Sequence, residues 1–284
     1  MVQAGIARDA LEPLIGATHL VPVTTHGDEV TARRPDANWV ETDGQFTRDL
    51  EHALLRGEID VAVHSFKDLP TANVDGLVVA AVLPRADARD CLVARGRVTL
   101  DDLSFGARIG TSSPRRAGQL QAVRPDVVPV PIRGNVPTRI ARVDAGELDA
   151  VILAAAGLDR LGIPIPDDAR LPLDVILPAP AQGALAVQVR AADADLVRRV
   201  SAADHRPTRI AVEAERALLR RIGGGCLAPL GAYAVASTDA LRLRAAYAAP
   251  RGGWRRAEVA GRGDDVTAVV ARVANELLAS PGAS

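Results

Sequence analysis

The chain has 284 residues, a formal net charge of −1 and a mean hydropathy of +0.09, which is long enough for two or three domains and a sizeable core. Only 2% of it is aromatic against 48% hydrophobic. The core is therefore built from Ala, Val, Leu and Ile, and with few rings to stack on bases and no general basic surface, nucleic-acid binding is excluded.

The apolar runs are interrupted well before the ~18–20 residues that cross a bilayer, and no basic, then apolar, leader opens the chain. This predicts a soluble, cytoplasmic monomer without membrane contact. Cys91 and Cys226 are the only cysteines, too few for a disulfide framework, and no Cys or His spacing suits a metal, so none is expected. Cys91, between Arg89-Asp90 and Leu92-Val93, is expected as a small buried hydrophobe.

In chain order the pattern predicts a helix over Phe46 to Arg56, strands over Ile59 to Val63, Leu77 to Leu83 and Arg108 to Thr111, and a helix over Pro114 to Val123. A strand over Val127 to Ile132, a helix over Val136 to Ala145, strands over Ala150 to Leu153 and Ala184 to Val189, and a helix over Thr208 to Ile222 follow. Such alternation implies parallel sheets covered by helices. Beyond Gly225 the order changes to hairpin strands over Tyr233 to Ala236, Leu241 to Ala248 and Trp254 to Ala260, closed by an amphipathic helix over Val266 to Leu278. The fold class is thus α/β, with two facing units around a cleft and a small C-terminal α+β domain. Ligands in open α/β sheets bind at the C-terminal strand ends.

Of the 34 basic residues, 33 are arginine. The single lysine, Lys67, stands in His64-Ser65-Phe66-Lys67-Asp68 at the end of a predicted strand, where a compact ammonium rather than a generic positive charge is wanted. Asp68 beside it is a candidate proton carrier or stabiliser of a developing cation, or else a turn former before Pro70. His64 reads most simply as a hydrogen-bonded strand residue. In Gly110-Thr111-Ser112-Ser113-Pro114-Arg115-Arg116 a strand ends, a hydroxyl can cap, and proline opens a helix. Free N–H groups and two guanidiniums there suit a carboxylate or phosphate, and the plain alternative is a capped helix with solvated arginines. Arg133-Gly134-Asn135 repeats the arrangement, with Arg139 one turn later and Arg160 beyond Gly157. So many guanidiniums at strand ends imply a substrate with several carboxylates, although Arg139 and Arg160 alone read equally as surface ion-pair partners. Cys226 follows three glycines, as suits a thiol on a flexible arm, or a chance cysteine in a linker.

Taken in order, His64 to Asp68, Gly110 to Arg116, Arg133-Gly134-Asn135, Gln182-Gly183-Ala184 and Glu215-Arg216 through Cys226 resemble the porphobilinogen deaminase (hydroxymethylbilane synthase) family. The resemblance implies three domains, here 1–83 with 184–202, 88–178, and 206–284, the first two built like periplasmic binding proteins. It implies a dipyrromethane cofactor held by a thioether to Cys226, with Lys67, Ser65, Thr111, Ser113, Arg115, Arg116 and Arg133 as cofactor ligands. Arg139, Arg160 and Gln182 would bind substrate, and Asp68 would be catalytic. The implied reaction joins four porphobilinogen units with loss of ammonia and then releases linear hydroxymethylbilane by hydrolysis.

Against the family pattern, the chain seems to begin at a glutamine, Gln3, that usually follows a strand carrying an Arg and a Ser. Asp43-Gly44-Gln45-Phe46 stands where a Lys-Gly-Leu-Phe pattern is usual, Arg48 replaces a lysine, Ala181 a glycine and Gln188 a glutamate. The expectation is therefore an N-terminally shortened, divergent member. A catalytically impaired homologue and a non-catalytic two-domain binder of polycarboxylates are the alternatives. The effector domain of a transcription regulator would share the cleft, but no helix-turn-helix precedes it.

Overall fold

The computed structural model describes residues 1–23, 45–223, 225, 228–237, 239–248 and 253–279. Three sheets organise them, and the fold is α/β with an α+β C-terminal unit.

The first sheet orders β1 (Val61–Ser65), β7 (Leu185–Arg190) and β2 (Leu77–Val82) with β7 in the middle. Its Leu-Ala-Val-Gln-Val stretch is buried throughout, as a central strand requires. Helices α1 (Val2–Ile15) and α6 (Ala194–Val200) cover one face through Ala7, Leu11, Leu196 and Val200, and α2 (Gln45–Leu55) adds Leu54 against Ala62 and Leu77. Both strand pairs are antiparallel, which corrects the expectation of a parallel sheet here. The physical reason is that β7 re-enters the first unit beside the point where β2 leaves it, Leu83 N–H donating to the Leu185 carbonyl at 3.1 Å, so it runs back along β2, and helix–strand alternation along the chain cannot report that direction.

The second sheet orders β3 (Asp90–Ala94), β6 (Ala150–Ala154), β4 (Arg108–Gly110) and β5 (Val128–Val130). Here β4 is parallel to both neighbours, as expected, while β3 is antiparallel to β6. Helices α3 (Pro114–Val123), α4 (Val136–Asp144) and α5 (Ala155–Arg160) follow strand ends. Strand β3 and helices α1, α5 and α6 were not predicted. They are short or interrupted by polar residues, and α5 follows β6 with no turn residue between them. Cys91 on β3 is fully buried, and burial pushes its thiol up to about 12.

The third sheet is an antiparallel meander of β8 (Leu230–Ala236), β9 (Ala240–Ala248) and β10 (Trp254–Arg262), packed on α7 (Arg206–Ile222) and α8 (Val266–Leu278). Leu218, Leu230, Leu243, Val259, Val273 and Leu277 form its core. It touches the second unit closely. A Cβ on Gly118 of α3 would lie 2.5 Å from the Trp254 indole, and one on Gly231 would lie 2.7 Å from the Leu177 carbonyl oxygen.

Two chain crossings join the first and second sheets, residues 83–89 outward and 178–184 back. They run against each other, with Ala86 N–H donating to the Gly183 carbonyl at 3.2 Å. Gly183 has φ +90°, and a Cβ there would sit 2.6 Å from the Ala86 carbonyl oxygen, so only glycine fits. Ala181 (φ +63°), fully buried, is the one non-glycine residue with positive φ among the described residues. That is a conformation costing an L-residue about 1–2 kcal/mol.

Candidate active site

β1 ends at Ser65 and the chain turns at once, with Asp68 N–H donating to the Ser65 carbonyl at 3.0 Å. Arg216 of α7 holds the turn from behind. Its guanidinium lies 4.3 Å over the Phe66 ring and donates to the carbonyls of Phe66, Leu69 and Pro70 at 3.1, 2.7 and 2.7 Å. Three backbone acceptors on one planar fork leave the turn little freedom. Lys67 and Asp68 are thereby held in the wall of a cleft of about 250 Å³ between the first and second units. Gln3 of α1 closes one end, donating to Ser65 Oγ at 2.8 Å.

The opposite wall is built on α3 and on the buried carboxylate of Asp90. Ser113 caps α3 by accepting from Arg116 N–H, and Thr111 Oγ1 accepts from Ser113 N–H at 3.2 Å. Arg115 Nη1 donates to Asp90 Oδ2 at 2.8 Å and to the Leu177 carbonyl at 2.7 Å. Arg116 Nη2 donates to Asp90 Oδ1 at 2.7 Å, and its Nη1 donates to the Ile152 carbonyl at 3.1 Å. The arginines expected at an open anion cradle are thus buried and paired. Burial alone would push the Asp90 carboxyl up, but Arg115 and then Arg116 more than offset it and hold it well below the usual carboxylate range. Gln182 completes the cluster. Its Nε2 donates to Asp90 Oδ1 and to the Ala88 carbonyl, both at 2.8 Å, while its buried Oε1 has no hydrogen-bond partner among the described residues.

Burial also pushes the Lys67 ammonium below its ordinary value, with Asp68 opposing the shift and Arg116 adding to it. Asn135 caps α4 by accepting from Thr138 N–H at 3.0 Å. Next to it, Arg139 Nε donates to the Gly134 carbonyl at 2.7 Å. Arg160 Nη2 donates to the Gly183 carbonyl at 2.7 Å. Each therefore has a backbone anchor and stays in the cleft wall.

Of the residues singled out in the sequence, the cleft brings together Ser65, Lys67, Asp68, Arg116, Arg139, Arg160 and Gln182. A smaller cavity of about 40 Å³ adjoins Lys67 and is lined by Ser113, Arg115 and Gly225. Thr111 is buried beneath Ser113, and Arg133 is exposed; neither belongs to the two linings. Cys226 and Asp43 lie outside the described residues. Sequence reasoning passed over Asp90 and took Gln3 only as a starting point. A lone acid opening the apolar stretch Cys91-Leu92-Val93, in a chain with adjacent arginines at another strand end, was the available signal for Asp90.

His64, beside the site, is buried with Nε2 at 2.9 Å from Gln188 Oε1, and Gln188 Nε2 donates to Glu51 Oε1 at 3.3 Å. Burial pushes His64 from 6.5 down to about 4 against the opposing Gln188 bond. The folded state keeps the ring neutral where the unfolded chain protonates it. This contribution is therefore complete above pH 6.5 and is lost as pH falls from 6.5 towards 4. Denaturant titrations at pH 7 and pH 4.5 should differ by on the order of 2–3 kcal/mol from this group. His64→Gln should flatten that part of the pH profile.

Two α/β units on either side of a cleft lined by Lys67, Arg116, Arg139 and Arg160, joined by paired crossings and backed by a separate α+β unit, define a two-lobed fold with a largely cationic cleft. The comparisons with known proteins narrow this further. Residues 1–198 match the porphobilinogen deaminase, dipyromethane cofactor binding domain, and residues 209–279 match the porphobilinogen deaminase, C-terminal domain. The chain belongs to the porphobilinogen deaminase family. It is 50% identical over 235 residues to the porphobilinogen deaminase of Thermobifida fusca, covering 82% of this chain and 72% of the relative. It is 43% identical over 284 residues to that of a Roseiflexus species, covering 99% and 93%. Among solved structures it is similar to the Bordetella pertussis BvgS periplasmic VFT2 domain, at 15% identity and a TM-score of 0.39 over 71% of this chain and 76% of that one.

Proposed function

We propose that this protein is a transferase of tetrapyrrole biosynthesis that joins four porphobilinogen units head to tail, releasing ammonia at each step, and then hydrolyses the product to linear hydroxymethylbilane. The observation that carries the reading is the placing of Lys67 and Asp68 at the mouth of a cleft with Arg116, Arg139 and Arg160 in its walls. Porphobilinogen carries an acetate and a propionate, and guanidinium forks are suited to holding carboxylates. Asp68, exposed in the cleft wall beside Lys67, can hold the proton on the leaving amine so that the C–N bond breaks with release of ammonia, accept a hydrogen bond from a pyrrole N–H, and stabilise the cation left behind.

The family's dipyrromethane cofactor fits the donor set here. Lys67, Ser113 and Arg115 line the cavity that adjoins Gly225, next to Cys226 in the chain, and the unpartnered Gln182 Oε1 is an acceptor in a wall rich in donors. When bound, the cofactor supplies a covalent anchor for the growing chain. Around it Lys67, Ser65, Thr111, Ser113, Arg115, Arg116 and Arg133 would hold carboxylates or support those that do, and Arg139, Arg160 and Gln182 would orient the incoming unit. The domain division that goes with this reading is 1–83 with 184–202, 88–178, and 206–284. The protein works as a cytoplasmic monomer; among the described residues no helix is long and apolar enough to cross a membrane.

The test is the intact mass of the purified protein together with consumption of porphobilinogen. A covalent dipyrrole adduct that disappears in Cys226→Ser, with ammonia released on turnover, is the expected result. An unmodified thiol and reversible binding of polycarboxylates without turnover would make the protein a binder only.

A further inference from the structure

Glu215 is a fully buried carboxylate on α7 that lines neither cavity, and it draws groups from three parts of the molecule. Arg85 of the outward crossing donates to it through Nη1 at 2.6 Å and Nη2 at 3.1 Å. Ala181 N–H of the return crossing donates to Oε2 at 2.6 Å, and Ala234 N–H of β8 donates to Oε1 at 2.6 Å. Arg85 extends the arrangement, with its Nε donating to the Gln182 carbonyl at 2.8 Å and its guanidinium 5.0 Å from the Tyr233 ring centroid. The carboxylate therefore uses both oxygens on both crossings and on the C-terminal sheet at once, and one of its bonds holds Ala181 in its positive-φ conformation. A buried charge costs several kcal/mol unless fully paired, so a site that keeps one needs what it organises.

We propose that Glu215 is a positioning residue whose carboxylate fixes the 181–183 segment against the C-terminal domain, and so sets where Gln182 and Gly183 stand in the cleft. The next two residues after Ala181 supply the cleft wall, Gln182 through its side chain and Gly183 through the carbonyl that anchors Arg160. The elements that Glu215 ties together, α7 and β8, are also the two between which residues 223–229 run, and these include Cys226. One carboxylate thus sets the distance between the cleft wall and the root of the thiol-bearing segment. The proposal deepens the function given above and rests on it for its catalytic consequence.

Two variants of the full-length holoprotein test it. Glu215→Gln keeps the shape but turns one acceptor into a donor that faces other donors. Arg85→Lys keeps the charge and the Glu215 bonds to Ala181 and Ala234, and loses the fork and the bond to Gln182. Amide hydrogen exchange at residues 179–184 should quicken at least tenfold in both, and more in Glu215→Gln, at a temperature where each variant is folded by circular dichroism. On the same samples kcat should fall at least tenfold, with enzyme carrying partly built chains accumulating in the intact-mass spectrum. Unchanged exchange at 179–184, or faster exchange with kcat, KM and the mass distribution all unchanged, would overturn the proposal. If Glu215→Gln does not fold, Arg85→Lys decides. If the unaltered protein does not turn over porphobilinogen, the assigned reaction fails, and the exchange measurement still decides whether Glu215 fixes the crossing.

Discussion

Asp68→Asn is expected to lower turnover of porphobilinogen by about 10²–10⁴-fold, the range for removing a positioned proton-transfer group, while leaving the unfolding midpoint where it was. The carboxylate is exposed in the cleft wall, and the turn that carries it is held by backbone bonds and by Arg216 rather than by the Asp68 side chain. Folding and chemistry should therefore separate cleanly at this position. The amide keeps the volume and removes the negative charge, so the loss measures what the charge does for a cation developing beside it. Steady-state kinetics with a matched denaturation curve checks this, and near-normal turnover would remove Asp68 from the mechanism.

Asp90→Asn should do the reverse, costing about 3–5 kcal/mol of stability because it leaves buried charges without their counter-charge. Arg115 and Arg116 are almost fully buried, and both point their guanidiniums at this one carboxylate, whose side chain is 0% exposed. Against a typical total of roughly 5–15 kcal/mol, such a loss takes about a fifth or more of the stability. Gln182 would lose an acceptor as well, so the cleft wall should loosen and substrate KM rise even where the protein stays folded. Urea titration gives the first effect and KM the second. A cost below about 1 kcal/mol would mean that the two guanidiniums find other acceptors or water.

This second case marks the boundary between what was legible in the sequence and what was not. Pro114 to Val123 and Val266 to Leu278 have the same ends in the structure as in the pattern, because proline at the first turn and amphipathic spacing are local signals. The use of Arg115 and Arg116 was not local. Their sequence context, a strand end followed by a capped helix, is the same whether they face solvent, a ligand or a buried acid. Only the packing of β3 beneath α3 brings Asp90 to them, across 25 and 26 residues of chain. Strand β7 is a similar case, since its composition marks a buried strand but its direction depends on which unit it rejoins.

By itself the sequence determined the α/β class, the C-terminal meander with its closing helix, and which residue types gather at the strand ends. Periodicity, helix-start residues and a single lysine among arginines are written in neighbouring positions. Tertiary structure alone decided which of the arginines are anchored inside and which remain in the cleft wall, that Gln3 closes the cleft, and that Glu215 binds both crossings to the third sheet. Those outcomes depend on the desolvation and pairing of charges between residues distant in the chain, and a charge's partner is set by three-dimensional proximity, which no local pattern encodes.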